Sequence, residues 1–393
     1  MPTLAAHHPA HKSAGVSFSL ATGASIATAA VILAFAGCAE RSASAPTGQA
    51  AQAEPSAATP ATMVKSTVVL GAEELLDGIP GTGPLALEEI EAWLDDPATR
   101  APLDIQLAQW LKPGGGQVKD LSINPLSRGR IELGRQLFFD PRLSADNSMS
   151  CTSCHEPDRG FTVGTRFATG VDGQQGTRNP PALLNRIMLA VGDDKQMWDG
   201  RASSVEDALL HALADPSEMA ADPSRLTAKL AGIPGYRLQF DRLYGDVTWD
   251  GIGDAIGVFV HCLVTGNSPY DHAVAWRSYA QLDDDLLASD PMLAARQAAE
   301  AQPLSAAALR GEQLFFGNGA WCSACHNGVN FTDEQFHNIG IGLDAEQANR
   351  NLDYRYTWVG NVTLSDQDKR DLIAFIRACS GPLPQVEIGR LPE

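Results

Sequence analysis

The sequence predicts a mainly α-helical protein with long loops, built from two related halves behind an N-terminal extension. Three observations carry this expectation. Apolar residues recur at the three- and four-residue spacing of helices, and no stretch alternates as a series of strands would. A hexapeptide occurs twice, as Gly134-Arg135-Gln136-Leu137-Phe138-Phe139 and as Gly311-Glu312-Gln313-Leu314-Phe315-Phe316. Each copy leads into a Cys-x-x-Cys-His cluster and then a Phe-Thr pair, Phe161-Thr162 and Phe331-Thr332. A repeat of this kind predicts a duplicated unit in which a Leu/Phe helix face packs beside the loop that carries the cysteines.

Size and charge bound the reading. A chain of 393 residues has room for two domains, and 44% hydrophobic with 19% charged residues is the balance of a soluble globular protein. A formal charge of −18 argues against nucleic acid as a partner and favours proteins with basic patches.

The elements follow in chain order. Residues 1–38 read as an export signal, with Lys12, an apolar run from Ile26 to Phe35, and Ala36-Gly37-Cys38. The run is too short for a membrane span, and small residues before a cysteine predict cleavage and lipidation of Cys38. A plain secretory signal cut elsewhere is the alternative. Either way the expected location is the periplasm or cell envelope, tethered to the membrane where Cys38 is lipidated. Residues 39–66 are rich in Ala, Pro, Ser and Gln without periodicity and predict a flexible linker. Residues 67–126 form the extension, where Ile90, Trp93 and Leu94 have helical spacing. The first half is expected over 127–266. A capping box at Ser203-x-x-Glu206 precedes Ala208, Leu209, Ala212 and Leu213, and an apolar helix runs from Ile252 to Val264. The second half is expected over 267–393. Its last helix starts at an N-cap Ser365, shows Leu372, Ile373 and Ile376 on one face, and stops at Gly381 after Cys379. Cys262 and Cys379 lie in apolar helical patterns and are expected as buried free thiols.

Cys151-Thr152-Ser153-Cys154-His155 and Cys322-Ser323-Ala324-Cys325-His326 carry the chemistry. Each offers two thiols to bond the vinyl groups of a haem and an adjacent imidazole to ligate its iron. Two Cys-x-x-Cys pairs also suit a zinc site, but zinc gives no reason for a histidine after both pairs. The sequence thus predicts two covalently bound haem c groups, with His155 and His326 on the irons.

Further stretches extend the pattern: Leu133-Gly134-Arg135-Gln136-Leu137-Phe138-Phe139-Asp140-Pro141-Arg142-Leu143-Ser144, Arg178-Asn179-Pro180-Pro181, Trp198-Asp199-Gly200-Arg201-Ala202, Asp215-Pro216-Ser217-Glu218-Met219 and Ile233-Pro234-Gly235-Tyr236. On these, residues 127–380 resemble the bacterial dihaem cytochrome c peroxidases and their relatives, the methylamine-utilisation-type dihaem oxidases. The resemblance implies that His155 belongs to the peroxide-reacting haem and His326 to the electron-storing one. It implies that Trp198 lies between the haems, that Glu218 is the carboxyl over the open iron face, and that Asn179 helps to hold a calcium ion. For Trp198 the bland alternative is a core indole before a tight turn, and for Glu218 a surface carboxylate. The implied partners are hydrogen peroxide, a small cytochrome c or cupredoxin as electron donor, and a second copy of the chain.

Three departures stand out. The loop Ala168 to Gly176 contains no histidine, whereas many relatives place there a ligand that blocks the first haem. The first haem is therefore expected to be open at rest. Ala208 stands where many members have Gln, and His211 lies one turn on as a candidate supplement to Glu218. After Asn361-Val362 the chain runs through Thr363-Leu364 straight to Ser365, without the segment that normally brings a Met or Tyr to the second haem. Either Tyr354, Tyr356 or His337 substitutes there, or the second haem is five-coordinate. The leading expectation is a cytochrome c peroxidase. The alternatives are an oxidase that modifies a partner protein, favoured by the open first haem, and a non-catalytic electron-transfer cytochrome, favoured by the missing segment. Under denaturing conditions the protein is expected to keep two haems, and Cys151→Ala with Cys154→Ala to remove one. A denatured chain that retains zinc and no haem would overturn this reading.

Overall fold

The computed structural model describes residues 67–108, 111, 117–189, 194–279, 290–318, 320–337 and 362–393. The chain divides into two units, residues 1–60 and 61–393, and all the described residues belong to the second. The export signal, Cys38, the linker, Tyr354, Tyr356 and Asn361 lie outside the described residues. Among the described residues, no helix is long and apolar enough to cross a membrane.

Two helix crossings organise the chain. Helix α4 (Arg128–Phe139), capped by Ser127, packs on α8 (Trp249–His261), capped by Thr248. Helix α11 (Ala306–Phe316), capped by Ser305, packs on α12 (Asp366–Ala378), where Ser365 and Asp368 cap each other reciprocally. Both crossings turn on a glycine. A Cβ on Gly134 would lie 2.0 Å from the Ala255 carbonyl oxygen, and one on Gly311 the same 2.0 Å from that of Asp371. Only a residue without a side chain lets two helix backbones approach this closely. The same aromatic set follows each crossing. Phe138 meets Phe161 and Phe259 at ring distances of 6.2 and 5.2 Å, and Phe315 meets Phe331 and Phe375 at 5.6 and 5.2 Å.

The remaining elements close around the first crossing. In the extension, β1 (Thr67–Val69) pairs in parallel with β2 (Asp104–Gln106), Val68 opposite Ile105. The helices α1 (Glu73–Leu76), α2 (Leu87–Asp95) and α3 (Pro97–Arg100) follow the chain between these strands. A second short pair joins β3 (Gln117–Val118) to β4 (Met188–Leu189), antiparallel. Then come α5 (Val205–Ala214), α6 (Pro223–Ala231) and α7 (Pro234–Leu243). Leu70, Leu85, Ile90 and Leu94 of the extension share one core with Leu133, Phe138, Tyr236 and Phe259. The extension is therefore an integral part of that core. The second half adds α9 (Pro269–Tyr279) and α10 (Asp290–Ala301), and among the described residues its core is formed by Phe315, Ala320, Leu372 and Phe375.

The residues after α12 return to the first half. Thr265 Oγ1 donates to the Pro382 carbonyl at 2.7 Å, and a Cβ on Gly381 would lie 2.1 Å from the Gly266 carbonyl oxygen. Gly381 is thus a close-passage residue, and the helix ends at Cys379. Buried Arg135 donates to the Glu387 and Ile388 carbonyls, and Arg390 grips Glu89 and the carbonyls of Pro80, Gly83 and Pro84.

Two further expectations need correction. Helix α5 is capped by Ser204, whose hydroxyl accepts from the Asp207 amide at 3.1 Å, and not by Ser203 with Glu206. Glu206 instead accepts from Lys119 at 2.7 Å and pairs with buried His261 at 3.0 Å. On α12, Leu372 is buried, but Ile373 is exposed and Ile376 borders a cavity, because the crossing presses Asp371 and Phe375 inward. Cys262 is a buried free thiol, as expected, and Cys379 is free but only half-buried. Gly134→Ala is expected to destabilise the fold by about 2 kcal/mol, since overpacking the crossing outweighs alanine's helix preference of about 1 kcal/mol. Gly176→Ala, whose Cβ would have its nearest contact at 3.7 Å, is the control and should change stability by no more than about 0.5 kcal/mol. Thermal unfolding of both variants makes the comparison.

Candidate functional site

The two cysteine motifs fold alike. Each is a single tight turn, Cys151–Ser153 and Cys322–Ala324, and each histidine amide reaches back to the first cysteine carbonyl, at 2.9 and 2.8 Å. His155 Nδ1 donates to the Phe161 carbonyl at 2.8 Å, and His326 Nδ1 to that of Phe331 at 3.1 Å. Phe161 and Phe331 hold these carbonyls in position with left-handed backbones, φ 57 and 51°. With Nδ1 engaged, Nε2 of each ring keeps its lone pair for a metal, and the carbonyl fixes the ring plane. Burial also lowers the His155 pKa, which favours the neutral, ligating form.

His155 and Cys154 open onto a cavity of about 1150 Å³ that Glu218, Trp198, Arg201 and the Val205, Ala208, Leu209 and Ala212 face of α5 also line. Burial pushes the Cys151 thiol up to about 12, and burial with the nearby Glu218 charge pushes Cys154 up to about 11. Both thiols are neutral and unpaired in the free chain. Two thiols, one oriented imidazole and an aromatic and aliphatic wall fit a covalently held haem. The second motif has its own cavity of about 750 Å³, bounded by Phe315, Cys322, His326, Phe331, Phe375 and Cys379. The same fit applies there.

Glu218 sits on a turn that closes after α5. Asp215 accepts from the Ser217 amide and hydroxyl at 2.8 and 2.7 Å, and the Glu218 amide donates to the Asp215 carbonyl at 3.0 Å. Desolvation raises the Glu218 pKa, Asp215 adds to the rise, and Arg201 opposes it. The cavity thus holds a carboxyl biased toward its protonated form. The loop at 168–176 docks on this turn: a Cβ on Gly170 would lie 2.0 Å from the Ser217 carbonyl oxygen, and the Val171 amide donates to the Glu218 carbonyl at 2.9 Å. Among the described residues lining this cavity, His155 is the only histidine, Met197 is the only methionine, and there is no tyrosine or lysine.

Trp198 is not a core residue, being 61% exposed. Its indole N–H donates to the Asn179 carbonyl at 2.7 Å, and its ring lines both the first cavity and a further one that holds Cys322, Cys325 and His326. Arg178 and Arg201 pair with Asp199 beside it and pull that carboxyl down to about 2. The Asn179 side-chain Nδ2 donates to the Thr165 and Arg166 carbonyls, at 2.9 and 3.4 Å. His211 does not join the site. It stands on the outer face of α5, 46% exposed and 3.6 Å from Asp207, while Ala208 and Ala212 face the cavity. His337 lines the cavity shared by Trp198 and His326 and pairs with Asp333 at 3.0 Å. Ligand atoms of Cys325, Asp333 and His337 lie within 4.8 Å of one another, but Cys325 belongs to the attachment motif. Sequence reasoning missed the roles of Arg201 and Asp215, although both lie inside the stretches it singled out.

Residues 128–278 match the family described as Di-haem cytochrome c peroxidase. The Methylamine utilization protein MauG of Methylophilus methylotrophus is 32% identical over 221 residues, 56% of this chain and 58% of that protein. The Cytochrome c551 peroxidase of Pseudomonas aeruginosa is 27% identical over 336 residues, 73% of this chain and 89% of that protein. The Cytochrome c peroxidase Ccp of Escherichia coli is 31% identical over 68% of this chain and 52% of that one. The matches thus span little more than half the length of the MauG and Escherichia proteins. The crystal structure of a MauG-like protein associated with microbial copper homeostasis has the same fold, with TM-score 0.50 and 22% identity, covering 70% of this chain and 94% of that one.

The Glu218 environment has a measurable consequence. A carboxyl whose folded pKa is raised contributes stability that is fully present below its unfolded pKa and is lost as pH rises through the folded value. Glu218→Gln removes the buried charge, so the variant is expected to unfold at a higher temperature than wild type at pH 7 and at the same temperature at pH 4. Equal midpoints at both pH values would contradict the assigned environment.

Proposed function

The chain belongs to the family of di-haem cytochrome c peroxidases and MauG-type proteins, and we propose that it reduces hydrogen peroxide to water. The electrons come one at a time from a small cytochrome c or copper protein. The family relation implies two haem c groups, and the two glycine crossings with matching aromatics support their origin by duplication. We place the reaction outside the cytoplasm, with Cys38 as tether, and calcium at Asn179 belongs to the same proposal.

The observation that carries the reading is one cavity holding both an oriented His155 and a protonation-biased Glu218, with Trp198 on its wall. Bound haem supplies the iron that breaks the O–O bond and takes up its oxidising equivalents. His155 would hold the iron through Nε2, its ring fixed by the Phe161 carbonyl. Glu218, once ionised, would accept a proton from hydrogen peroxide and return it to the leaving oxygen, which would depart as water. Arg201 limits the rise of the Glu218 pKa, so that the carboxyl can serve in both directions. The Trp198 ring, steadied by the Asn179 carbonyl, gives electrons a polarizable path between the cavities.

A second reading rests on the loop at 168–176, which brings no histidine, tyrosine or lysine to the first cavity. An iron left open there suits an oxidase that modifies a partner protein as well as a peroxidase. Oxidised side chains in a co-purified partner after peroxide treatment would favour that reading.

Two measurements test the main proposal. Glu218→Gln is expected to lower peroxide turnover by about 10²-fold or more, the size of a general acid–base contribution, with haem content unchanged; unchanged turnover would refute the role. The resting spectrum is expected to show a high-spin component from the first haem, and a wholly low-spin, six-coordinate spectrum would remove the open site.

A further inference from the structure

The two motif turns differ in the residue that precedes them. Before Cys151 stands Ser150, in extended conformation at φ −114°, its hydroxyl 2.6 Å from that of Thr152. Before Cys322 stands Trp321, held at φ 57°, with its carbonyl accepting from the Ala324 amide at 3.1 Å. A bulky side chain in the left-handed region is a backbone outlier, and such outliers persist where the surroundings fix them, often at functional positions. Trp321 lines the same cavity as Trp198, Cys322, Cys325 and His326. Through Cys322 it is also the immediate chain neighbour of a haem attachment point.

We propose that Trp321 is a second redox-active indole, carrying electrons between the second haem and Trp198. The inference rests on the peroxidase reading for its oxidant, hydrogen peroxide reacting at the first haem. One electron leaves the Trp321 indole for the oxidised indole of Trp198, and one from the iron(II) of the second haem replaces it. That iron becomes iron(III), both indoles return to their starting state, their N–H protons stay in place, and no other bond forms or breaks. An indole is the side chain suited to this, being large, polarizable and the most readily oxidised of the ring systems lining this cavity. The asymmetry also has a reason. Only the second motif must receive electrons and pass them on, and only that motif carries the tryptophan.

The test uses the holoprotein with the second haem reduced beforehand. On mixing with stoichiometric peroxide, stopped-flow absorbance follows the first-haem reaction and second-haem oxidation separately. Trp321→Phe is expected to leave the first phase unchanged and slow the second about tenfold, equivalent to ~1.4 kcal/mol on its barrier. Trp321→Tyr, which keeps an oxidisable ring, should restore part of the rate. Second-haem oxidation as fast in both variants as in wild type would overturn the proposal. So would a slowing accounted for by a shifted second-haem midpoint potential, since that would make Trp321 a tuning residue. Failure of the peroxidase reading gives a different trace, with no first-haem phase in wild type. Flash-quench oxidation, which needs no peroxide, then compares the same variants by the same criteria.

Discussion

A backbone carbonyl resting on a glycine is the contact on which this architecture depends. At Gly134 it is the carbonyl of Ala255, and at Gly311 that of Asp371, each so close that no Cβ fits. This proximity seats Phe259 beside Phe138 and Phe375 beside Phe315, and those rings support Phe161 and Phe331. The backbone carbonyls of Phe161 and Phe331 orient the two imidazoles. Each imidazole is thus aimed by a chain of contacts that begins at a helix crossing, each link a packing constraint with little freedom.

Charge separates the two halves that packing makes alike. The first cavity contains a carboxyl, Glu218, caught between the repulsion of Asp215 and the attraction of Arg201. The cavity beside Phe315 and Phe375 is almost wholly apolar apart from its motif residues. One half thus places an ionisable carboxyl in its cavity, and the other lines its cavity with aromatic and aliphatic side chains. Trp198 lines both the first cavity and the one that holds Trp321, Cys322 and His326.

Much of this was legible in the sequence because it depends on local pattern. The two motifs, the repeated hexapeptide and the cap at Ser365 all follow from spacing and residue type. What failed was decided by tertiary contacts. The capping pattern at Ser203 and Glu206 was sound locally, but His261 and Lys119 draw Glu206 away and Ser204 takes the cap. His211 shares a helix with the cavity wall, yet the face α5 presents is set by its packing on α8. The buried face of α12 was misread at Ile373 because nothing in that helix announces the glycine of α11 that crosses it.

The residues after α12 carry a consequence for how the chain assembles. Arg390 bonds to partners 301 to 310 positions earlier, and Pro392 packs on Gly235 and bridges Leu85. Contacts of such sequence separation form late, because the intervening loop must close before they contribute. The core around Ile90 and Tyr236 is therefore completed only once residues 387–392 have found their seat. Residues late in the chain thus complete the core that its early residues begin.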